Sequence, residues 1–249
     1  MTEAAALAHD LGHPPFGHAG EKALDQCVTN EGLTDGFEGN AQTFRILTKL
    51  SRSKAGQAGL NLTRRVLDAV LKYPWLRGKN LPYSSKWSVY QSENEEFKWV
   101  RMDPVSEKKS VDAELMDLAD DIAYAVHDIE DAVRARMIPI DELLKEGKQR
   151  EKFFVFVQEV SIEEGPLIRT QVECVLNLIK QLCLPPLLKP YENSDEQRGA
   201  LRRMTTILHR RFILAVRKGD DRDLHIDKPF LTELRVLIMP LLFQTLQKA

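Results

Sequence analysis

Apolar residues recur at helical spacing along most of this chain, and strand-like alternation is almost absent. Thr2 to Leu11 reads as the end of an alanine-rich helix, with Gly12 placed as its C-cap residue and Pro14-Pro15 forbidding continuation. A new helix is expected to open near His18. Glu31 to Gly39 is a turn rich in Gly, Asp and Thr, after which Ala41 to Leu50 and Leu62 to Leu71 return to the helical period. From Val111 the period strengthens and continues to the C-terminus, with breaks at Pro139, Gly165-Pro166, Pro185-Pro186, Pro190 and Gly219. Only Phe153 to Val157 alternates weakly, as a strand would. The pattern therefore predicts an all-α chain without internal repeats.

One predicted helix, Ala113 to Val133, sets Leu115, Leu118, Ile122, Val126, Ile129 and Val133 in a narrow stripe, a core-facing edge. Asp117, Asp120, Asp121, Tyr124, His127, Asp128 and Asp131 take the other side, which by itself reads as a solvated acidic face. Within that face Asp120, Tyr124 and Asp128 stand at i, i+4 and i+8 and form one row. Such a row can hold a metal at one end and a sugar hydroxyl further along. A second predicted helix, Arg198 to Lys218, turns Leu201, Met204, Leu208 and Phe212 to a core and aligns Arg203, Arg210 and Arg217 opposite. That arginine row can bind phosphates, although a solvated face or a subunit contact is its commoner use.

Tyr73 to Arg101 departs from this regularity. It holds Trp75, Trp87 and Trp99 with Tyr83, Tyr90 and Phe97 among several lysines and arginines, and reads as a long ordered loop with short helical pieces. Aromatics anchoring the loop on the core are favoured over a base-stacking surface.

Composition narrows the class only a little. With 249 residues, a net charge of -2, 43% hydrophobic and 29% charged positions, neither a polyanion partner nor a disordered tail is implied. The length suits one large domain with a helical appendage. Cys27, Cys174 and Cys183 have no zinc-finger spacing, and their odd count argues against a disulfide framework, so a reducing cytoplasm fits best. The most apolar stretches, Phe153 to Val160 and Val172 to Leu188, are too short or too polar to span a bilayer. Glu3, His9 and Asp10 near the start argue against a signal peptide.

Candidate chemistry concentrates near the N-terminus. His9-Asp10, His13, and His18 followed three residues later by Glu21 offer metal-ligand types and a separate acid/base pair around one turn. The run Ala8-His9-Asp10-Leu11-Gly12-His13-Pro14-Pro15-Phe16-Gly17-His18-Ala19-Gly20-Glu21 resembles the core signature of the HD-domain metal-dependent phosphohydrolases nearly letter for letter. Within them it is most similar to the deoxyguanosine triphosphate triphosphohydrolase group. Phe37 to Ile46, Lys72-Tyr73-Pro74-Trp75, Ser92-Glu93 with Phe97, and Leu118-Ala119-Asp120-Asp121-Ile122-Ala123-Tyr124 are similar to further landmarks of that group.

The resemblance implies an HD-domain helical bundle over residues 1–135, with additional C-terminal helices over 136–249 packed on it. It implies that His9, Asp10 and Asp120 are ligands of a divalent ion, and their donor types suit Mn²⁺, Mg²⁺ or Fe²⁺. His18 and Glu21 resemble the acid/base pair, Glu21 accepting from one ring nitrogen while the other faces the scissile bond. Tyr124 and Asp128 map onto positions that read the deoxyribose. Asn40, Gln42 and Arg45 are placed near the pocket, although Asn40 serves equally well as an N-cap. His13 is expected to face phosphate or to support the ligands, and Asp121 to support the site or contact solvent. The implied reaction converts a deoxynucleoside triphosphate, dGTP foremost, to deoxynucleoside and triphosphate.

A further histidine ligand is implied on a helix upstream of His9, and residues 1–8 contain none. The chain is therefore expected to lack the family's N-terminal helices, at a cost in metal affinity, with replacement by His127, His209 or His225 disfavoured. Other readings stay open: a related hydrolase acting on another nucleotide, or a catalytically impaired paralogue that binds nucleotides or single-stranded nucleic acid. Homo-oligomers are implied by the resemblance alone; a membrane partner is not expected.

Overall fold

The alanine-rich opening forms helix α1, Thr2–Ala8, in a computed structural model that describes residues 1–79, 85–102, 106–160, 170, 173, 176, 177, 179–181, 185–218 and 224–226. Here α1 stops earlier than its period suggested. Its C-cap is His9, whose N–H reaches Ala5 O, and Gly12 has no left-handed φ, so it is not the C-cap glycine expected. Helix α2, Gly17–Asn30, opens beside His18 through two left-handed residues, Phe16 (φ 66°) and Gly17 (φ 54°). Helix α3, Gly39–Arg45, runs on into a π-helical turn, Ile46–Leu50. Helix α4, Arg64–Ala69, precedes the aromatic loop, which ends in a 3₁₀ turn, Gln91–Glu93, and helix α5, Asn94–Arg101. Helix α6, Val111–Arg134, is the long acidic helix.

Two compact units, Met1–Asp120 and Asp121–Ala249, divide within α6. In the first, Ala5 and Ala8 of α1 pack with Phe44, Leu47, Leu67, Leu71, Val89, Phe97, Val100 and Met116. Methyl-sized side chains let α1 lie close to α4, and enclosing a residue such as Phe44 contributes roughly 2–3 kcal/mol. A satellite cluster of Ala41, Trp75, Trp87 and Tyr90 holds the aromatic loop down, as the anchoring reading expects, while Trp99 is 52% exposed. Tyr83 lies outside the described residues.

In the second unit, α6 continues its apolar edge with Ile122, Val126, Ile129 and Val133, all buried. Helix α7, Ile140–Leu143, helix α8, Lys148–Val160, a 3₁₀ turn, Pro185–Leu188, and helix α9, Asp195–Leu214, follow. Phe153 to Val157 lies inside α8 and is not a strand; Phe153 and Phe154 are both buried, which alternation would not allow. A capping box between Ser194 and Gln197 starts α9, whose Leu201, Met204, Leu208 and Phe212 are enclosed as predicted. The helix ends before Lys218, because Val216–Lys218 instead pairs antiparallel with Leu224–Ile226 as strands β1 and β2. Apart from this ribbon the described fold is helical. Among the described residues no helix is long and apolar enough to cross a membrane.

Candidate active site

Because α1 ends at Ala8, residues 9–13 are free to turn, and the turn gathers the motif. His13 N–H donates to Asp10 O, and Leu11 N–H to Ala8 O. Thr43 of α3 staples the turn: its hydroxyl accepts from Gly12 N–H at 2.9 Å and lies 2.9 Å from His9 O and 3.0 Å from Gly39 O, which share its proton.

His9 Nδ1 lies 2.7 Å from Ala6 O. A carbonyl only accepts, so Nδ1 carries the proton and the neutral ring keeps its lone pair on Nε2. That buried nitrogen stands 3.3 Å from Asp10 Oδ1 and 3.3 Å from Asp120 Oδ1, within reach of both yet hydrogen-bonded to neither. Three electron-pair donors thus face one another, an arrangement that favours a positive charge among them. Accordingly the Asp120 carboxylate raises the His9 imidazole above its ordinary value against the effect of burial, and Ala6 O adds to the rise. Asp120 is held down at about 2, first by His9, with burial opposing and Lys72 assisting.

A histidine fixed through Nδ1 on a carbonyl, with Nε2 turned to carboxylates, is oriented as metal-ligating histidines are. By donor type His9, Asp10 and Asp120 fit a divalent ion. Among the described residues no three His, Cys, Asp or Glu side chains form a ready-made metal cage.

Lys72 Nζ sits 2.8 Å from Asp117 Oδ1 and 3.0 Å from Asp120 Oδ2, and Lys109 pairs with Asp117 from the other side. These two positions of α6 are therefore not the solvated face that the pattern suggested. Burial pushes Asp117 up, but Lys109 and Lys72 together hold it below the usual carboxylate range. Carboxyls depressed in the folded state stabilise it above about pH 4 and lose that contribution as pH falls towards the folded value. Lys72→Met is thus expected to cost about 2–3 kcal/mol in urea unfolding at pH 7 and clearly less at pH 3. An equal cost at both pH values would contradict the pairing.

A second cluster lies across Gly39. A Cβ built there would stand 3.1 Å from Glu21 Oε2 and 3.1 Å from the His13 ring, so Gly39 separates the two. Glu21 is 8% exposed; its Oε2 accepts from Gly39 N–H at 3.1 Å and its Oε1 from Lys86 Nζ at 2.7 Å. Burial pushes Glu21 up, yet Lys86 and the Gly39 N–H hold it below its ordinary value. His18 is largely exposed, with Nδ1 3.9 Å from Glu21 Oε1, beyond a hydrogen bond but within a small rotation of one. Both line a cleft of about 530 Å³ with Lys22, Arg77, Lys86 and Trp87.

The remaining predicted residues are distributed more widely. His13 Nδ1 is buried without a hydrogen bond, 3.3 Å from Asp10 Oδ1, beside the candidate ligands. Asn40 is not the N-cap of α3. Glu38 is, accepting from the Asn40 and Ala41 N–H groups, while Asn40 Nδ2 donates to Glu38 Oε1 at 2.8 Å. Gln42 is half-buried on α3. Arg45 pins α3 to the 3₁₀ turn: it contacts Glu93 Oε1 at 3.2 Å and Ser92 Oγ at 2.6 Å, and covers the Tyr90 ring. In the second unit Tyr124 is exposed and Asp128 half-buried, its carboxyl raised by burial and by Asp131. His127 and His209 of that unit meet edge to face, 5.6 Å between centroids. Asp121 is half-buried, and Arg203 and Arg210 are exposed on α9.

Sequence reasoning missed Lys86 and Glu38. A lysine among aromatic loop residues carries no spacing signal, since its partners lie 65 and 48 positions away. A glutamate just before Gly39-Asn40 could have been read as an N-cap acid.

The fold and these clusters define a helical protein with a histidine–aspartate centre beside a histidine–glutamate pair. No protein-family model matches the chain. It is 46% identical over 158 residues to a deoxyguanosinetriphosphate triphosphohydrolase-like protein of Streptomyces coelicolor, covering 61% of this chain and 37% of that one. A protein of the same name from Bifidobacterium longum is 46% identical over 142 residues, 53% of this chain and 29% of its own. A deoxyguanosinetriphosphate triphosphohydrolase-like protein 2 of Vibrio cholerae is 44% identical over 155 residues, 61% and 37% respectively. Over the shared stretch the chain is similar to the deoxyguanosinetriphosphate triphosphohydrolase-like proteins. It spans about a third of the length of the curated relatives it matches.

Proposed function

We propose that this chain carries the metal-dependent phosphohydrolase centre of a deoxynucleoside triphosphate triphosphohydrolase, acting on dGTP foremost and releasing deoxynucleoside and triphosphate. The observation that carries the reading is the His9 Nε2 lone pair held between Asp10 and Asp120, with the His18–Glu21 pair beyond Gly39. His9, Asp10 and Asp120 would hold Mn²⁺, Mg²⁺ or Fe²⁺. When bound, such an ion supplies the positive charge that a polyphosphate needs neutralised and makes an attacking water more acidic.

The protein's own groups handle position and protons. Glu21 is fixed and anionic, so it orients His18 through Nδ1 and leaves Nε2 to give a proton to the departing 5′ oxygen or to take one from water. His13 stands at Asp10 and faces the phosphates. Lys72 neutralises Asp117 and Asp120 in the absence of substrate and is long enough to turn towards an anionic ligand. Asn40 and Gln42 of α3 are assigned to the substrate side of the site, Asn40 through its hold on Glu38. Tyr124 and Asp128 follow Asp120 along α6 and are assigned to the deoxyribose, the phenol against C2′ and the acid on the 3′ hydroxyl.

The test is to incubate the chain with each dNTP and Mn²⁺ and to separate the products. Inorganic triphosphate and deoxynucleoside are expected, with dGTP consumed fastest. His18→Ala is expected to slow release by about 10²–10⁴-fold, the usual contribution of a positioned acid or base. Orthophosphate or diphosphate as the product would overturn the reaction, and an undiminished rate in His18→Ala would overturn the role of the pair.

A further inference from the structure

Lys86 lies outside every motif, yet it joins two acids that the chain brings together from distant positions. Its Nζ is 2.7 Å from Glu21 Oε1 and 3.2 Å from Glu38 Oε1. Glu38 is a rigid post, 1% exposed: Oε2 accepts from the Asn40 N–H at 2.6 Å and the Ala41 N–H at 3.1 Å, and Oε1 from Asn40 Nδ2. The backbone between the two acids is fixed as well, because Gly39 N–H donates to Glu21 Oε2. Glu21 therefore has one oxygen on the start of α3 and the other on a lysine that is itself anchored to α3. The edge of the carboxylate left over is turned to His18.

We propose that Lys86 is the positioning residue of the proton-handling pair, clamping Glu21 against Glu38 so that the Glu21 carboxylate stays ionised and aimed at His18. The inference rests on the reading of His18 and Glu21 given above. Burial already raises Glu38 against the pull of Asn40 and Lys86, and without the lysine Glu21 would face that acid without the cation that offsets its own burial, so its carboxyl would rise as well. A protonated Glu21 could no longer orient the His18 ring as an acceptor. The other charged groups around Glu21 do not replace the clamp. Arg77 is engaged with Asp25 at 3.2 Å and covers Trp87, Lys22 lines the cleft without an ion pair among the described residues, and His13 lies beyond Gly39.

The Glu21 carboxyl can be followed by ¹³C NMR in the ligand-free protein, its resonance identified by its loss in Glu21→Gln. In Lys86→Met the titration midpoint of Glu21 is expected to rise by at least about one pH unit. In Lys86→Arg it should stay below the usual carboxylate range. In Glu38→Gln it should hold or fall, because Lys86 keeps its partner and a like charge is gone. An unmoved Glu21 in folded Lys86→Met, or a raised Glu21 in Glu38→Gln, overturns the proposal; the latter variant decides if circular dichroism finds Lys86→Met unfolded. The acid limb of the rate profile for triphosphate release should move with the Glu21 midpoint. If the expected NMR shifts appear in a protein that releases no triphosphate, the clamp stands and the assigned reaction falls. If turnover is present and Glu21 does not respond to Lys86→Met, the clamp falls alone.

Discussion

Asp120→Ala is expected to remove detectable triphosphate release and to weaken Mn²⁺ binding by at least about 100-fold. Loss of groups that merely orient ligands already costs roughly 10 to 100-fold, and Asp120 is itself one of the two carboxylates facing the His9 lone pair. Its removal leaves His9 Nε2 opposite Asp10 alone, a mostly exposed side chain. Lys72 keeps Asp117, so the fold loses one ion pair but gains no orphan charge. Stability should therefore fall by only about 1–2 kcal/mol, while binding and turnover collapse. Asp120→Asn separates charge from shape, since it preserves the side-chain volume on α6 and removes the anion. Calorimetric Mn²⁺ titration of both variants decides the matter: metal affinity equal to that of the parent chain would remove Asp120 from the ligand set. Equal loss in the two variants would show that the charge is what counts.

Gly12→Ala should have the largest effect on folding. A Cβ at this position would lie 2.2 Å from Thr43 N, 2.3 Å from Gly39 O and 2.7 Å from Gln42 C. All three are backbone atoms of α3, so no side chain can swing aside, and the turn carrying His9, Asp10 and His13 must move away. Doing so breaks the Gly12 N–H bond to Thr43 and the Thr43 contact with His9 O. We expect a loss of about 3 kcal/mol or more, and a fall in Tm of roughly 10 °C. Gly147→Ala, where nothing stands within 4 Å, is the neutral comparison. Similar melting of the two variants would show that α3 does not press on the turn. Because the same displacement pulls His9 away from Asp120, Gly12→Ala should also weaken Mn²⁺ binding in whatever fraction remains folded.

Much of this molecule was legible from residue order, and the exceptions have a common cause. The α6 stripe, the start of α2 beside His18 and the apolar edge of α9 follow from periodicity, because a helix is made by neighbours three and four positions apart. The clustering of His9, Asp10 and His13 was legible for the same reason, since a single turn collects them. Phe153 to Val157 misled because a short apolar run is compatible with either period until its packing is known. The end of α9 misled because β2, which takes Val216–Lys218 out of the helix, is a partner that no local rule foretells.

The sequence by itself determined the helical architecture, the start of α2 beside His18 and the spacing that sets Glu21 one helical turn after His18, all matters of a few residues. Only the tertiary structure decided what surrounds them. It brought Asp120 to His9 across more than a hundred positions and set Lys72 between Asp117 and Asp120. It also fitted Gly12 against α3 and placed Lys86 between Glu21 and Glu38. Charges that read as solvated along one helix are half-buried and paired, because the partner that neutralises a carboxylate is chosen by packing across the fold and leaves no periodic trace in the chain.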